Sequence, residues 1–266
     1  MSIKIAREGL KALLDVTTRV QHINNKAQPQ VSSCIVKSDG KEASTTSVVK
    51  DGKTSLGKFS FKVIEGSGQI PVPDIDRMLG ALKYHNDIVT LSVVDDKVKI
   101  KSKGKQTTLL GTDNAKAFPN SQKTLKEWSK MSVDRAKQVG KAQYTMQDGQ
   151  SRTAFFSATV PADTLHDALR CDGMNGQKLN RYNFCMKDGK LTVTVGDHFK
   201  GKTDSELGEF VHDEFEATFE GGLENVVKHY SDDVKLHFLD FTKEGQGIRL
   251  IIEFSNGDWV FQAGVL

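Results

Sequence analysis

The chain has 266 residues, 37% hydrophobic and 27% charged, enough for two domains of ordinary size with a soluble, slightly polar composition. No apolar run approaches the roughly 18 residues that cross a bilayer. Cys34, Cys171 and Cys185 are odd in number, far apart and without CxxC spacing, which argues against a disulfide framework or structural zinc and fits a reducing compartment. The formal net charge of +3 conceals a division. Residues 1–150 hold 25 Lys+Arg against 15 Asp+Glu, or +10, and residues 151–266 hold 12 against 19, or −7. That asymmetry fits nucleic-acid contact by the basic half, head-to-tail association of copies, or variation in solvated surface charge.

In chain order, residues 2–6 predict a short edge strand leading into a helix over 7–20, whose apolar face is Leu10, Leu13, Leu14 and Thr17. Residues 30–37, 42–50 and 58–64 alternate and are β-branched, so they predict strands. Asp39-Gly40 and Asp51-Gly52 supply the turns between them. After a strand at 69–72, Pro73-Asp74 opens a second helix with a carboxylate at its positive end. Residues 89–94, 97–103 and 106–111 complete an antiparallel meander. The stretch 112–152 differs: it has Pro119, eight Lys or Arg residues and a predicted helix over 124–131, and is expected to be a long surface connector.

The order then repeats. A strand at 155–160 feeds a helix from Pro161 to about Cys171, a hairpin over Asp188-Gly189 joins 180–186 to 190–195, and strands follow at 203–207 and 215–219. A helix near 223–230 and strands at 234–238, 247–254 and 259–263 finish the chain, with Ser255-Asn256-Gly257-Asp258 as a tight turn. The repetition is also visible residue by residue. DIDRMLGALKYHNDIVTLSV (74–93) matches EGGLENVVKHYSDDVKLHF (220–238): Met78 with Leu223, Leu82 with Val227, Lys83 with Lys228, Val89 with Val234 and Leu91 with Leu236. REGLKALLDV (7–16) likewise matches ADTLHDALRC (162–171). Duplication on this scale predicts an α+β chain of two domains, 1–111 and 153–266, joined by the connector 112–152. Each domain is expected to be a curved antiparallel sheet with two helices on one face.

Each helix carries basic residues opposite its apolar stripe: Arg7 and Lys11, Arg77 and Lys83, His166 and Arg170, and Lys228. A solvated Lys or Arg there is ordinary. Two at matching repeat positions, Lys83 and Lys228, point instead to a shared basic surface for sequence-independent phosphate contact. No GxxxxGK[ST], HExxH or GxSxG motif is present, and the seven histidines are dispersed. His212-Asp213-Glu214 is one short polar cluster at a strand entrance, and Asp95-Asp96 and Asp232-Asp233 fall at turns. Neither catalysis nor a cofactor or metal is expected.

IPVPDIDRMLGALKYHNDIVTLSV, VPADTLHDALR and the final segment from ATFEGGLENVV to DWVFQAGVL together resemble the sliding clamps of DNA replication. The type is the two-domain one represented by proliferating cell nuclear antigen, in a divergent form of viral, phage or archaeal character. The resemblance implies a homotrimeric ring of six domains whose helices line a hole around duplex DNA, tethering a DNA polymerase after a clamp loader closes it. Arg77, Arg170 and Lys228 fall where that family carries basic residues on inner helices; Arg7, Lys11 and Lys83 are additions from the amphipathic pattern. The connector would pass over a pocket that, with the C-terminal tail, receives short peptides of replication proteins. Phe118 and Pro119 are the candidates on the connector, and Ala263, Gly264 and Val265 those at the tail. Core packing is the alternative for Phe118 and Val265. The chain departs from the family in its longer, more basic connector, in its net positive charge, and in Gly264, where the family's tail has proline. Two further readings stay open: a monomeric processivity factor that clings to DNA through a basic face, and an enzyme whose dispersed polar residues converge in the fold. The N-terminus MSIKIAREGLK lacks a signal-peptide core, which predicts a cytoplasmic protein, or a nuclear one in a eukaryotic host.

Overall fold

The computed structural model describes residues 1–18, 20–23, 26–49, 55–95, 97–109, 132–135, 142–145, 151–170, 181–197, 201–245 and 247–265. In the first half, β1 (Ser2–Ala6) runs directly into α1 (Arg7–Thr18), and a small hairpin, β2 (Gln21–Ile23) and β3 (Lys26–Gln28), follows. Then come β4 (Cys34–Asp39), β5 (Glu42–Val49), β6 (Ser55–Lys62), β7 (Ser67–Val72), α2 (Ile75–Leu82), β8 (Ile88–Val94), β9 (Lys97–Ser102) and β10 (Lys105–Leu109). After β11 (Ser132–Arg135), β12 (Ala142–Thr145) and β13 (Ser151–Thr153), the second half contains β14 (Phe156–Pro161), α3 (Ala162–Leu169), β15 (Arg181–Lys187), β16 (Lys190–Asp197), β17 (Gly201–Glu209) and β18 (Phe215–Glu220). It closes with α4 (Leu223–Val227), β19 (Asp233–Asp240), a 3-10 turn (Thr242–Glu244), β20 (Ile248–Glu253) and β21 (Trp259–Val265). This is the expected α+β class, with antiparallel strands dominant.

The chain divides into two compact units: the first comprises Met1–Thr18, Pro29–Val48 and Gly57–Leu125, and the second Arg19–Gln28 (with β2 and β3), Val49–Leu56 and Lys126–Leu266. In the first unit the strand orders are β1-β8-β9-β10 and β6-β5-β4-β7; in the second they are β14-β19-β20-β21 and β17-β16-β15-β18. Strand for strand, these are the same topology. Register repeats as well: Ile5 faces Val89 and Ile3 faces Leu91, as Val160 faces Val234 and Ala158 faces Leu236. Within the second unit β18 also pairs with β21, through Thr218↔Val265 and Phe219↔Gly264, so its two sheets are continuous there.

Alternation explains which face is buried. Ile3, Ile5, Val89, Leu91, Val98 and Ile100 are fully buried, as are Leu10, Leu13 and Leu14 of α1 and Met78 and Leu82 of α2. Burying each such side chain contributes about 1.5–3 kcal/mol. The second core is more aromatic. The Phe238 ring lies 4.9 Å from that of Phe215, 5.7 Å from Phe184 and 5.8 Å from Phe156.

Local chemistry sets the ends of elements. Asp74 caps α2 by accepting from the Arg77 N–H at 2.8 Å, the role its position after Pro73 predicts. The helix predicted over 7–20 stops at Thr18. There the Thr17 and Thr18 hydroxyls donate back to Leu13 O and Leu14 O, and the N–H groups of Gln30 and Val31 close the Thr18 carbonyl. Asp188 (φ 50) and Gly189 (φ 76) form the tight turn from β15 to β16. The stretch read as a long surface connector contains, unexpectedly, strands β11 and β12, which pair with β13 in a small antiparallel sheet. Its short strands interrupted by Lys and Gly carry too weak an alternation to read. The predicted helix over 124–131 and the Asp51-Gly52 turn lie outside the described residues. Among the described residues, no helix is long and apolar enough to cross a membrane.

Candidate nucleic-acid interface

The six basic residues singled out from sequence occupy different situations. Arg7 opens α1 and is mostly committed to structure. Its guanidinium donates to His85 O at 2.7 Å and to Glu8 Oε1 at 2.9 Å, and lies 3.6 Å from Asp87 Oδ1. It thereby ties the start of α1 to the turn after α2. Lys11 donates to Glu8 Oε2 at 2.9 Å. Hydrogen bonds from Lys11 and then Arg7 hold the Glu8 carboxyl below its ordinary range, so α1 presents a partly neutralised face.

Arg77, Lys83, Arg170 and Lys228 have exposed side chains. Lys83, Arg170 and Lys228 are the C-cap residues of α2, α3 and α4. A cation there is favoured by the unsatisfied carbonyls of the last turn, which explains their recurrence independently of any ligand. Lys83 (φ −60, ψ −25) and Lys228 (φ −55, ψ −17) adopt nearly the same backbone conformation, as their matched sequence positions predict. The Lys228 ammonium also donates to Asn225 Oδ1 at 3.0 Å. Tyr84, beside Lys83, is 73% exposed, an aromatic that helical periodicity alone does not flag.

Of the residues assigned to peptide capture, Phe118 and Pro119 lie outside the described residues. Ala263, Gly264 and Val265 belong to β21 and are paired within the sheet, Ala263 with Arg249, Gly264 with Phe219 and Val265 with Thr218. They therefore correct the expectation of a tail beyond a strand ending at 263. A Cβ at Gly264 would lie 2.2 Å from Ile248 O and 3.5 Å from Thr218 O. Glycine is needed because the backbone is closely flanked on both sides, and proline would have the same conflict.

Two polar groupings bear on an enzymatic reading. Ser157 Oγ lies 2.9 Å from His237 Nδ1, and His237 Nε2 lies 3.2 Å from Glu253 Oε2. This Ser-His-Glu row spans β14, β19 and β20 and uses Nδ1 toward serine, the reverse of the usual nucleophile–base arrangement. His237 is only 4% exposed, so the row holds strands together without opening to a substrate. His212 has both ring nitrogens 2.9 Å from carbonyls, those of Asp213 and Phe155, which pins the loop before β18. Among the described residues, no group of three or more His, Cys, Asp or Glu side chains could hold a metal ion.

Two units of identical topology, each two sheets braced by two helices, define the sliding-clamp fold. The chain is similar to the DNA polymerase III beta subunit of Thermotoga maritima, with a TM-score of 0.62 and 12% identity over 99% of this chain and 64% of that one. It is also similar to the DNA polymerase sliding clamp of Bacillus subtilis, with a TM-score of 0.60 and 13% identity over 100% of this chain and 64% of that one. The chain thus spans less than two thirds of the length of these clamps. At such identities the likeness is one of fold, and it lies with bacterial clamps rather than the type named from sequence. No protein-family model and no curated protein matches the sequence.

Proposed function

We propose that this protein is a sliding clamp, a non-enzymatic processivity factor that encircles duplex DNA and tethers a DNA polymerase. The observation that carries the reading is the repeated topology of the two units, matched over 99% of the chain by a polymerase clamp. The exposed Arg77, Lys83, Arg170 and Lys228 supply diffuse phosphate contacts, weak enough to exchange during sliding. Closure, not affinity, then keeps the clamp on DNA, and a tethered polymerase gains a high effective concentration at its template. Three copies would give the six domains of a ring of the proliferating cell nuclear antigen type. A clamp loader and partner peptides docking near Phe118, Pro119 and the end of β21 complete the proposed set of partners.

Topological retention tests this directly. Clamp loaded on a circular duplex should stay bound in salt that abolishes phosphate contacts, and should be released when the circle is cut. Equal loss from both forms would refute encirclement. Charge reversal at Arg77, Arg170 and Lys228 together should impair loading or sliding while leaving the fold intact; unchanged polymerase stimulation would remove those residues from the DNA path. A monomeric factor holding DNA by a basic face is the second reading, favoured by the +10 charge of residues 1–150.

A further inference from the structure

The β1-β8-β9-β10 sheet buries one face, and alternation puts a lysine array on the other. In KVKIKS, Val98 and Ile100 are fully buried, so Lys97, Lys99 and Lys101 of β9 project from the opposite side. Register aligns Lys4, Thr90, Lys101 and Gln106 in one row across the four strands, and Ser2, Ser92, Lys99 and Thr108 in the next. Lys103 extends the array at the β9–β10 turn. All of these side chains are exposed or half-exposed. Among the described residues the single ion pair on this face is Lys4–Glu65, at 3.1 Å.

We propose that this sheet face is a second, sequence-independent binding surface for the phosphate backbone of duplex DNA. Alternate lysines on a strand are spaced about 6.7 Å apart, with hydroxyl and amide side chains between them of the kind that contact phosphate oxygens. No aromatic side chain stands in the two rows, so the face lacks the stacking platforms that single strands use. A second copy of this chain is the competing occupant, since the second unit is acidic. Its acidic sheet face, however, is already partnered: Glu206 by Lys190 at 2.9 Å, Asp204 by Lys202 at 3.9 Å and by the Thr194 hydroxyl, and Glu216 by Asn183 at 2.7 Å. Among the described residues, no ion pair joins Lys97, Lys99 or Lys101 to a carboxylate, and phosphates are the polyanion that a clamp would meet continuously.

The experiment is titration of the full chain with a short linear duplex across a salt series, comparing wild type with Lys97→Gln/Lys99→Gln/Lys101→Gln. Loss of three phosphate contacts should weaken binding about tenfold and reduce the slope of log K against log[salt] by about 2.7. The corresponding triple Lys→Arg variant should bind as wild type does. Unchanged affinity and slope in the Gln variant would overturn the proposal, as would a change in its assembly mass with duplex binding intact. If the Gln variant does not fold, acetylation of wild-type lysines decides the matter. Saturating duplex should protect Lys97, Lys99 and Lys101, and equal labelling with and without DNA would refute the surface. The inference rests on the clamp reading only for its setting. Linear-duplex binding needs no ring, so it can fail while retention on circles stands, and the reverse.

Discussion

The β1-β8-β9-β10 sheet and the β14-β19-β20-β21 sheet share strand order and register but have opposite outward faces. In the first, that face is lysine, serine, threonine and glutamine open to solvent. In the second, the row matching Lys4, Thr90, Lys101 and Gln106 is Thr159, Lys235, Glu253 and Trp259, the row matching Ser2, Ser92, Lys99 and Thr108 is Ser157, His237, Ile251 and Phe261, and Leu239, Arg249 and Ala263 lie beside the latter. Leu239 and Ile251 are fully buried, and the Arg249 guanidinium stacks 4.0 Å over the Phe241 ring, with Arg152 of β13 at 5.6 Å on the same ring. The inward pattern is therefore what the two copies need in common to fold. The outward pattern is free to diverge: one copy has become basic and open, while the other keeps one polar row and buries the apolar ones next to it.

A charge exchange between those faces gives the largest contrast. Ile251→Lys should destabilise the protein by about 3 kcal/mol, because it buries an ammonium among apolar groups. Lys99→Ile, at an outward position of the other sheet, should change stability by no more than about 0.5 kcal/mol. Denaturant midpoints would check both, and equal effects would break the contrast. Gly264→Ala probes the β18–β21 junction of the second unit. The 2.2 Å approach to Ile248 O forces the backbone to shift, for a loss of about 2 kcal/mol. Faster amide exchange in β18 and β21, with β8 and β9 unaffected, would localise it.

The smallest effect is one of pH in the first unit. His85 is buried, with Nδ1 2.9 Å from Ser102 Oγ and Nε2 2.8 Å from Thr107 Oγ1. Burial first, and Lys105 second, hold its pKa below the ordinary value. The unfolded chain consequently binds this proton more readily. The stability from the neutral ring is complete above the unfolded value of about 6.5 and is lost as pH falls through the lower folded one. His85→Asn should therefore flatten the decline of urea midpoints on acidification; an unchanged acid limb would remove His85 from that account.

Much of this was legible because one buried face imposes one periodicity. Met78, Leu82, Val89 and Leu91 matched their second-half counterparts in sequence, and those positions build both cores. The Asp39-Gly40 and Asp188-Gly189 turns and the Asp74 cap were legible for the same reason, since few residues satisfy their backbone geometry. Helical periodicity drew attention to the basic residues of the helices and away from KVKIKS, although its strict Lys alternation marks an outward strand face. Arg7 illustrates the opposite limit: no spacing reveals that its guanidinium is spent on His85 O, because that partner is 78 residues away. Gly264 looks like a tail residue until two flanking strands close around it.

Native mass measurement of the intact protein at micromolar concentration tests the central claim most directly. A closed three-copy clamp predicts a species near 88 kDa, three times the 29.4 kDa chain, insensitive to Lys97, Lys99 and Lys101 substitution. A strict 29.4 kDa monomer under the same conditions would contradict the ring.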